Sequence, residues 1–234
     1  MSHRSFFSTH ELRRYYERAG HAVRALDGVT FDVQRGEFLA VVGASGSGKT
    51  TLLSLLAGLD TATSGTIEID GVQLGSLSRK ELAQYRARKA GMVFQSFNLL
   101  GHYSAAQNVE TALYFSDVPR SDRRQRVESV LAQVGLTDRS GHRPDHLSGG
   151  EQQRIAVARA IVKTPEILFA DEPTGNLDLD NATQIVELLS GLNQAGLTII
   201  MVTHNVELAE RYAHRVVRMH YGRMMDVPKG GAQG

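Results

Sequence analysis

Apolar and polar positions along the chain fall into two textures. From Val23 to Val33 short β-type runs alternate, and Gln34-Arg35-Gly36 then turns the chain into the apolar run Glu37-Phe-Leu-Ala-Val-Val42. Thr51-Leu-Leu-Ser-Leu-Leu56 reads as a helix, Ser64-Gly-Thr-Ile-Glu-Ile-Asp-Gly71 as an alternating strand closed by a turn, residues 76 to 89 as a basic helix, and Gly91-Met-Val-Phe-Gln95 as a strand. Between about 97 and 146 helical patterns take over, at 104 to 115 and at 120 to 134. The second opens at Pro119 and carries Val127, Val130, Leu131 and Val134 at i, i+3, i+4, i+7. From 149 onward helix and strand alternate: helix to about Val162, strand 166–170, helix 181–194, strand 197–202, a helix from about 205, and strands near 214–219 and 223–227.

Such alternation, with strands such as TIIMV apolar on both faces, predicts a mainly parallel sheet flanked by helices. The expected fold is α/β, with a β-rich N-terminal part and a small helical subdomain inserted into the core. One domain spans 1–234: the core with its β subdomain takes 1–96 and 149–228, the helical subdomain 97–148, and 229–234 reads as a disordered tail. Residues 1 to 20 are poorly patterned before an expected turn at Gly20, and read as a frayed lead-in or an edge strand. The basic residues at 79 to 89 (Arg79, Lys80, Arg86, Arg88, Lys89) and at 120 to 126 (Arg120, Arg123, Arg124, Arg126) read as solvated helix faces.

Composition narrows the function classes. Lys and Arg total 26 against 25 Asp and Glu, so bulk charge argues for neither nucleic acid nor membrane. With no cysteine, disulfides, thiolate metal sites and a cysteine nucleophile are excluded. No apolar run approaches the ~18 to 20 residues of a spanning helix, and the first residues lack a signal peptide's apolar core, so the chain is expected to stay where it is made.

Chemistry enters with Gly43-Ala-Ser-Gly-Ser-Gly-Lys-Thr50, set between a strand and a helix, the order that makes a phosphate-binding loop. Gly43, Ala44, Ser45, Gly46, Ser47, Gly48, Lys49, Thr50 and Thr51 are expected to hold a nucleoside triphosphate. Backbone N–H groups and the helix N-terminus would meet its phosphates, Lys49 its β/γ oxygens, and the Thr50 hydroxyl a Mg²⁺ ion. Asp171, ending an apolar strand, is expected to serve the same ion, and Glu172, on a different bearing, to act as general base. Ser148, Gly149 and Gly150 open a helix as a second anion site, placed economically if a two-fold dimer sets them over a partner's ATP.

GASGSGKT, LSGGEQQR and FADEPTGNLD together closely resemble an ABC-type ATPase over nearly the whole chain. The resemblance implies that Gln95 senses Mg²⁺ and γ-phosphate, that Asp178 crosses a homodimer interface, and that His204 orients the attacking water. Asn205 stands where the family usually has Asp, and should cap its helix equally well. Counting back from Arg24-Ala-Leu-Asp-Gly28, the family's adenine-stacking tyrosine falls on Tyr16, with Tyr15 one position away. GLDTATSG, GMVFQSFNLL and DEPTGNLD are similar to the lipoprotein-releasing, macrolide-exporting and cell-division (LolD/MacB/FtsE-like) group. That implies an ATP-hydrolysing subunit of a transporter or mechanotransmission complex, or a cell-division ATPase of the FtsE type, with ATP and Mg²⁺, peripheral on the cytoplasmic face of the inner (plasma) membrane, serving a separately encoded permease and binding no nucleic acid. Gly101-His-Tyr-Ser104 departs from that group's Pro-containing segment. A soluble ABC ATPase acting on nucleic acid is the rival reading. The short stretch between Gln95 and Ser148 leaves no room for a long coiled-coil arm, and a single phosphate loop argues against a tandem factor.

Overall fold

The computed structural model describes residues 5–18 and 21–225. The chain begins with two long antiparallel strands, β1 (Phe7–Arg18) and β2 (His21–Val33), then β3 (Phe38–Val42) and α1 (Lys49–Leu56). There follow β4 (Ser64–Ile69), β5 (Val72–Gln73), α2 (Arg79–Arg88) and β6 (Ala90–Phe94). Helices α3 (Ala105–Glu110), α4 (Arg120–Gln133) and α5 (Gly149–Ile161) come next, with short 3-10 turns between them. Strict alternation then returns: β7 (Ile167–Asp171), α6 (Leu179–Gln194), β8 (Thr198–Thr203), α7 (Val206–Tyr212), β9 (Arg215–His220) and β10 (Arg223–Met225).

Two sheets result. One is antiparallel, in the order β2-β1-β4-β5; the other runs β10-β9-β3-β8-β7-β6 and is parallel except for β10. Every residue of β3 and β8 is buried, which only layers on both faces can achieve. Alternate residues of β3 serve two cores. Phe38, Ala40 and Val42 join the core under α3, α4, α5 and α6, while Leu39 and Val41 join the one under α1 and the antiparallel sheet. Among the described residues, no helix is long and apolar enough to cross a membrane.

Two expectations need correction. Residues 7–18 form neither a frayed lead-in nor an edge strand: β1 lies between β2 and β4. Its inward positions run Phe7, Thr9, Leu12, because Glu11 takes a positive φ of 48° and the register shifts there, so a bulge breaks the two-residue period. Nor are all the basic side chains solvated. Arg79, Lys80, Arg120, Arg124 and Arg126 are exposed, whereas Arg86 is half-buried and donates to Gly58 O at 2.6 Å, and Arg123 donates to Val118 O while lying over the Tyr114 ring. The turn expected at Gly20 and the tail at 229–234 lie outside the described residues, as do the last two residues of the strand expected at 223–227.

Candidate functional site

β3 delivers the chain at its C-terminal end to the loop 43–48, where ligands of parallel sheets are bound. Gly48 has φ 105°, and a side chain there would strike the carbonyl oxygen of Ala25, so only glycine makes the turn into α1. No side chain caps α1, unlike α2, α3, α5, α6 and α7, and its first N–H groups remain available to an anion. The Lys49 side chain is 6% exposed; its Nζ donates to Gly43 O (2.7 Å) and Ala44 O (3.0 Å) and stands 3.5 Å from Glu172 Oε1. Beside it the Ser47 hydroxyl is buried with no hydrogen-bond partner among the described residues.

A cavity of about 690 Å³ opens over this loop, lined by Ser45, Gly46, Gly48, Lys49, Thr50 and Thr51, by Gln95, Glu172 and His204, and by Val23, Arg24 and Ala25. Its acids differ. Asp171 accepts a hydrogen bond from the Thr50 hydroxyl at 3.0 Å. Burial pushes the Asp171 carboxyl above the ordinary aspartate range and the Glu172 charge adds to this, against the hydroxyl and the Lys49 ammonium. Glu172 has a positive φ of 46°, which turns it off the strand line. Its Oε2 accepts from the His204 backbone N–H (3.1 Å) and lies 2.8 Å from His204 Nδ1.

Thr50 and Asp171 present adjacent oxygens suited to a hard divalent cation. Among the described residues, no cluster of three or more His, Cys, Asp or Glu could hold a metal unaided. Mg²⁺ suits such a site, because it takes one or two protein oxygens and completes its shell from water and phosphate.

Of the other expected residues, Gln95 alone joins this lining, and its Nε2 donates to Asn176 Oδ1 at 3.2 Å. Ser148 caps α5, accepting from the Glu151 N–H while its own N–H donates to Glu151 Oε2, and Gly150 packs against Asn181. Asp178 caps α6 by accepting from the Asn181 N–H at 2.8 Å. These residues form one cluster, outside the lining of the Lys49 cavity. Asn205 caps α7, accepting from the Leu208 N–H at 3.0 Å. The Tyr16 hydroxyl donates to Asp60 (2.7 Å) and the Arg14 guanidinium lies 4.5 Å from its ring centroid; the strand partner of Tyr16, Val23, lines the cavity, but Tyr16 does not. Tyr15 instead donates to Asp27 at 2.7 Å.

Sequence reasoning missed Val23, Arg24, Ala25 and Asn176. The first three lie on β2, where Arg24-Ala-Leu-Asp-Gly28 served only to count back to a tyrosine; no chemistry-bearing pattern marks them as cavity residues. Asn176 acts through the Gln95 backbone, which no spacing signals.

A family model described as ABC transporter matches residues 26–175. An uncharacterized ABC transporter ATP-binding protein of Thermotoga maritima is 43% identical over 221 residues, covering 94% of each chain. The macrolide export ATP-binding/permease protein MacB of Hyphomonas neptunium is 43% identical over 215 residues, which is 92% of this chain and 33% of that protein's length. In structure, the dimeric cassette MJ0796 superposes with a TM-score of 0.86 at 36% identity, covering 94% of this chain and 97% of that one. The same cassette in a post-hydrolysis state bound to ADP and Pi gives a TM-score of 0.86 at 35% identity. From its phosphate loop to its last parallel strand, the chain belongs to the ABC transporter family as an ATP-binding cassette.

Proposed function

We propose that the chain acts as one cassette of a homodimer that binds two ATP molecules between its subunits, hydrolyses them, and drives a separate integral-membrane permease from the cytoplasmic face of the inner membrane. In this reading residues 97–148 move as the inserted helical unit. MacB relatives carry ATP-binding and permease functions in one name, and this chain spans a third of their length. Export of lipoprotein, lipid, peptide or drug is the transport class in keeping with that kinship; nucleic acid is not an expected partner.

The observation that carries the reading is the division of labour. Lys49, Thr50, Gln95, Glu172 and His204 share one cavity, while Ser148, Gly149, Gly150 and Asp178 lie off its lining. With Ser148 and Glu151 satisfying each other, the N–H groups of Gly149 and Gly150 are the open donors of α5's first turn. A second copy, related by a two-fold axis, supplies the phosphate for them.

Within the cavity, the Lys49 ammonium takes the β/γ oxygens in exchange for its carbonyl partners. Thr50, Asp171 and Gln95 would hold Mg²⁺, which when bound neutralises charge on the transferring phosphoryl group. Glu172 Oε2 accepts the proton of the attacking water, and His204, through Nδ1, holds that carboxylate in place. Tyr16, or Tyr15 beside it, supplies the base-stacking ring.

Mixing tests the shared site. Lys49→Ala and Ser148→Arg each ruin both sites of their own homodimer, but a heterodimer retains one site made from the two intact halves. Part of the ATPase activity is expected to return on mixing. None returning, with co-assembly shown by differently tagged chains and Ser148 far from every γ-phosphate in an ATP-bound Glu172→Gln structure, would end the shared-site reading.

A further inference from the structure

Immediately beyond Gln95 the backbone takes an unfavourable path. Phe97 and Asn98 have φ values of 54° and 51°, the only consecutive non-glycine residues with positive φ among the described residues. Side chains with a Cβ enter that region at a cost and stay only where their surroundings impose it. Here one guanidinium holds both carbonyls. Arg159 Nη2 donates to Phe97 O at 2.8 Å and Nη1 to Asn98 O at 2.6 Å.

Arg159 lies on α5, the helix whose first turn is Ser148-Gly149-Gly150. The same helix grips the strand end before Gln95: Gln153, fully buried, donates from Nε2 to Phe94 O (3.4 Å) and to Pro173 O (2.5 Å). Between these two anchors Asn176 donates to Gln95 O at 3.0 Å and accepts from the Gln95 amide. The circuit closes on the other side, since a Cβ at Gly149 would sit 3.9 Å from Cζ of Phe97. Four carbonyls of the stretch 94–98 are therefore held by side chains, two of them by Arg159.

We infer that Arg159 is a positioning residue for Gln95: by clamping Phe97 and Asn98 in the left-handed conformation it holds the Gln95 amide on the nucleotide cavity and the Phe97 ring against Gly149, so that α5 ties the two together. The inference rests on the ATPase reading above. A planar fork with fixed donor directions suits two neighbouring carbonyls, which the single ammonium of lysine cannot span with the same preorganisation. Without the fork the segment relaxes toward ordinary φ values, and Gln95 loses its bearing while Lys49, Asp171 and Glu172 keep theirs.

The test uses the full chain and two readouts. In Arg159→Ala, kcat for ATP is expected to fall roughly 10- to 100-fold, the scale of a small misplacement of a reacting geometry, with KM little changed because the phosphate loop is intact. Amide hydrogen exchange at 94–100 should quicken, while the exchange of β3 and α1 does not. Adding Asn98→Gly, which removes the cost at one of the two positive-φ positions and leaves Phe97 in place, should recover part of the lost kcat. Should Arg159→Ala fail to fold, Arg159→Lys keeps the charge and stem and should show the same two changes in smaller measure. Wild-type kcat in these variants, loss of kcat without faster exchange at 94–100, or no recovery with Asn98→Gly would each overturn the inference. Lys49→Ala run alongside separates the failures, since wild-type hydrolysis in that variant would sink the ATPase reading itself.

Discussion

Lys49 Nζ stands 3.5 Å from Glu172 Oε1, so the cation expected to bind phosphate and the expected general base face each other in the cavity. The pairing offsets part of the cost of burying both charges, whose side chains are 6% and 14% exposed.

Replacing Lys49 by alanine removes the charge meant for the β/γ oxygens, and ATP hydrolysis is expected to fall to background. Phosphate release measured at saturating ATP checks this. Turnover at the wild-type rate would refute the assignment of the loop.

Glu172→Gln keeps the side chain's shape and its hydrogen-bond reach to His204 but cannot take the proton. Hydrolysis should fall by about 10² to 10⁴, the usual contribution of a positioned base, with ATP binding retained. Arrested before hydrolysis, the variant should accumulate as an ATP-bound dimer in light scattering. A monomer under conditions where the wild type turns over would count against both the base and the dimer.

For the adenine platform, Tyr16→Ala should weaken ATP binding by roughly 10-fold or more, the scale of one lost stacking contact, and Tyr15→Ala much less. Titration of a labelled ATP analogue into the Glu172→Gln background decides between them. Equal losses would mean that the ring is shared or that neither stacks.

Away from the site, Lys163 is held against Arg86 O, and burial together with the Arg86 charge lowers its pKa to about 8 from 10.5. The unfolded chain thus binds more protons than the folded one between about pH 8 and 10.5, so this residue's contribution to stability rises with pH across that window. Comparing Tm of wild type and Lys163→Met at pH 7 and pH 10, the difference should move in the wild type's favour at the higher pH. A difference independent of pH would show that the ammonium is not desolvated.

How much of this was legible in the chain depended on whether the information was contiguous. Gly43 to Thr50 announces itself because one short loop must provide every turn and donor the phosphates need, and the apolar runs of β3, β7 and β8 have to be buried on both faces. β1 was illegible because its bulge at Glu11 moves the inward positions out of step, although Phe7 and Leu12 are fully buried. Arg24 was missed for another reason: it reaches the cavity from a strand brought there by Gly48 packing on Ala25, a relation between distant segments. Arg159 and Gln153 act on backbone carbonyls, so no complementary residue exists elsewhere in the sequence to hint at them.

β3 sits between β8 and β9, and the Gly222 N–H donates to Ser47 O, so both flanks of the phosphate loop come from the last quarter of the described chain. During synthesis, residues 38–48 leave the ribosome with their sheet neighbours still unmade, and the apolar strand must wait for 198–203 and 215–220 to arrive. Nucleotide capture is thereby a property of the finished chain. A truncated or stalled product, cut before β8, carries the whole phosphate-loop motif yet lacks both neighbours of the strand that delivers it, and is expected not to sequester ATP.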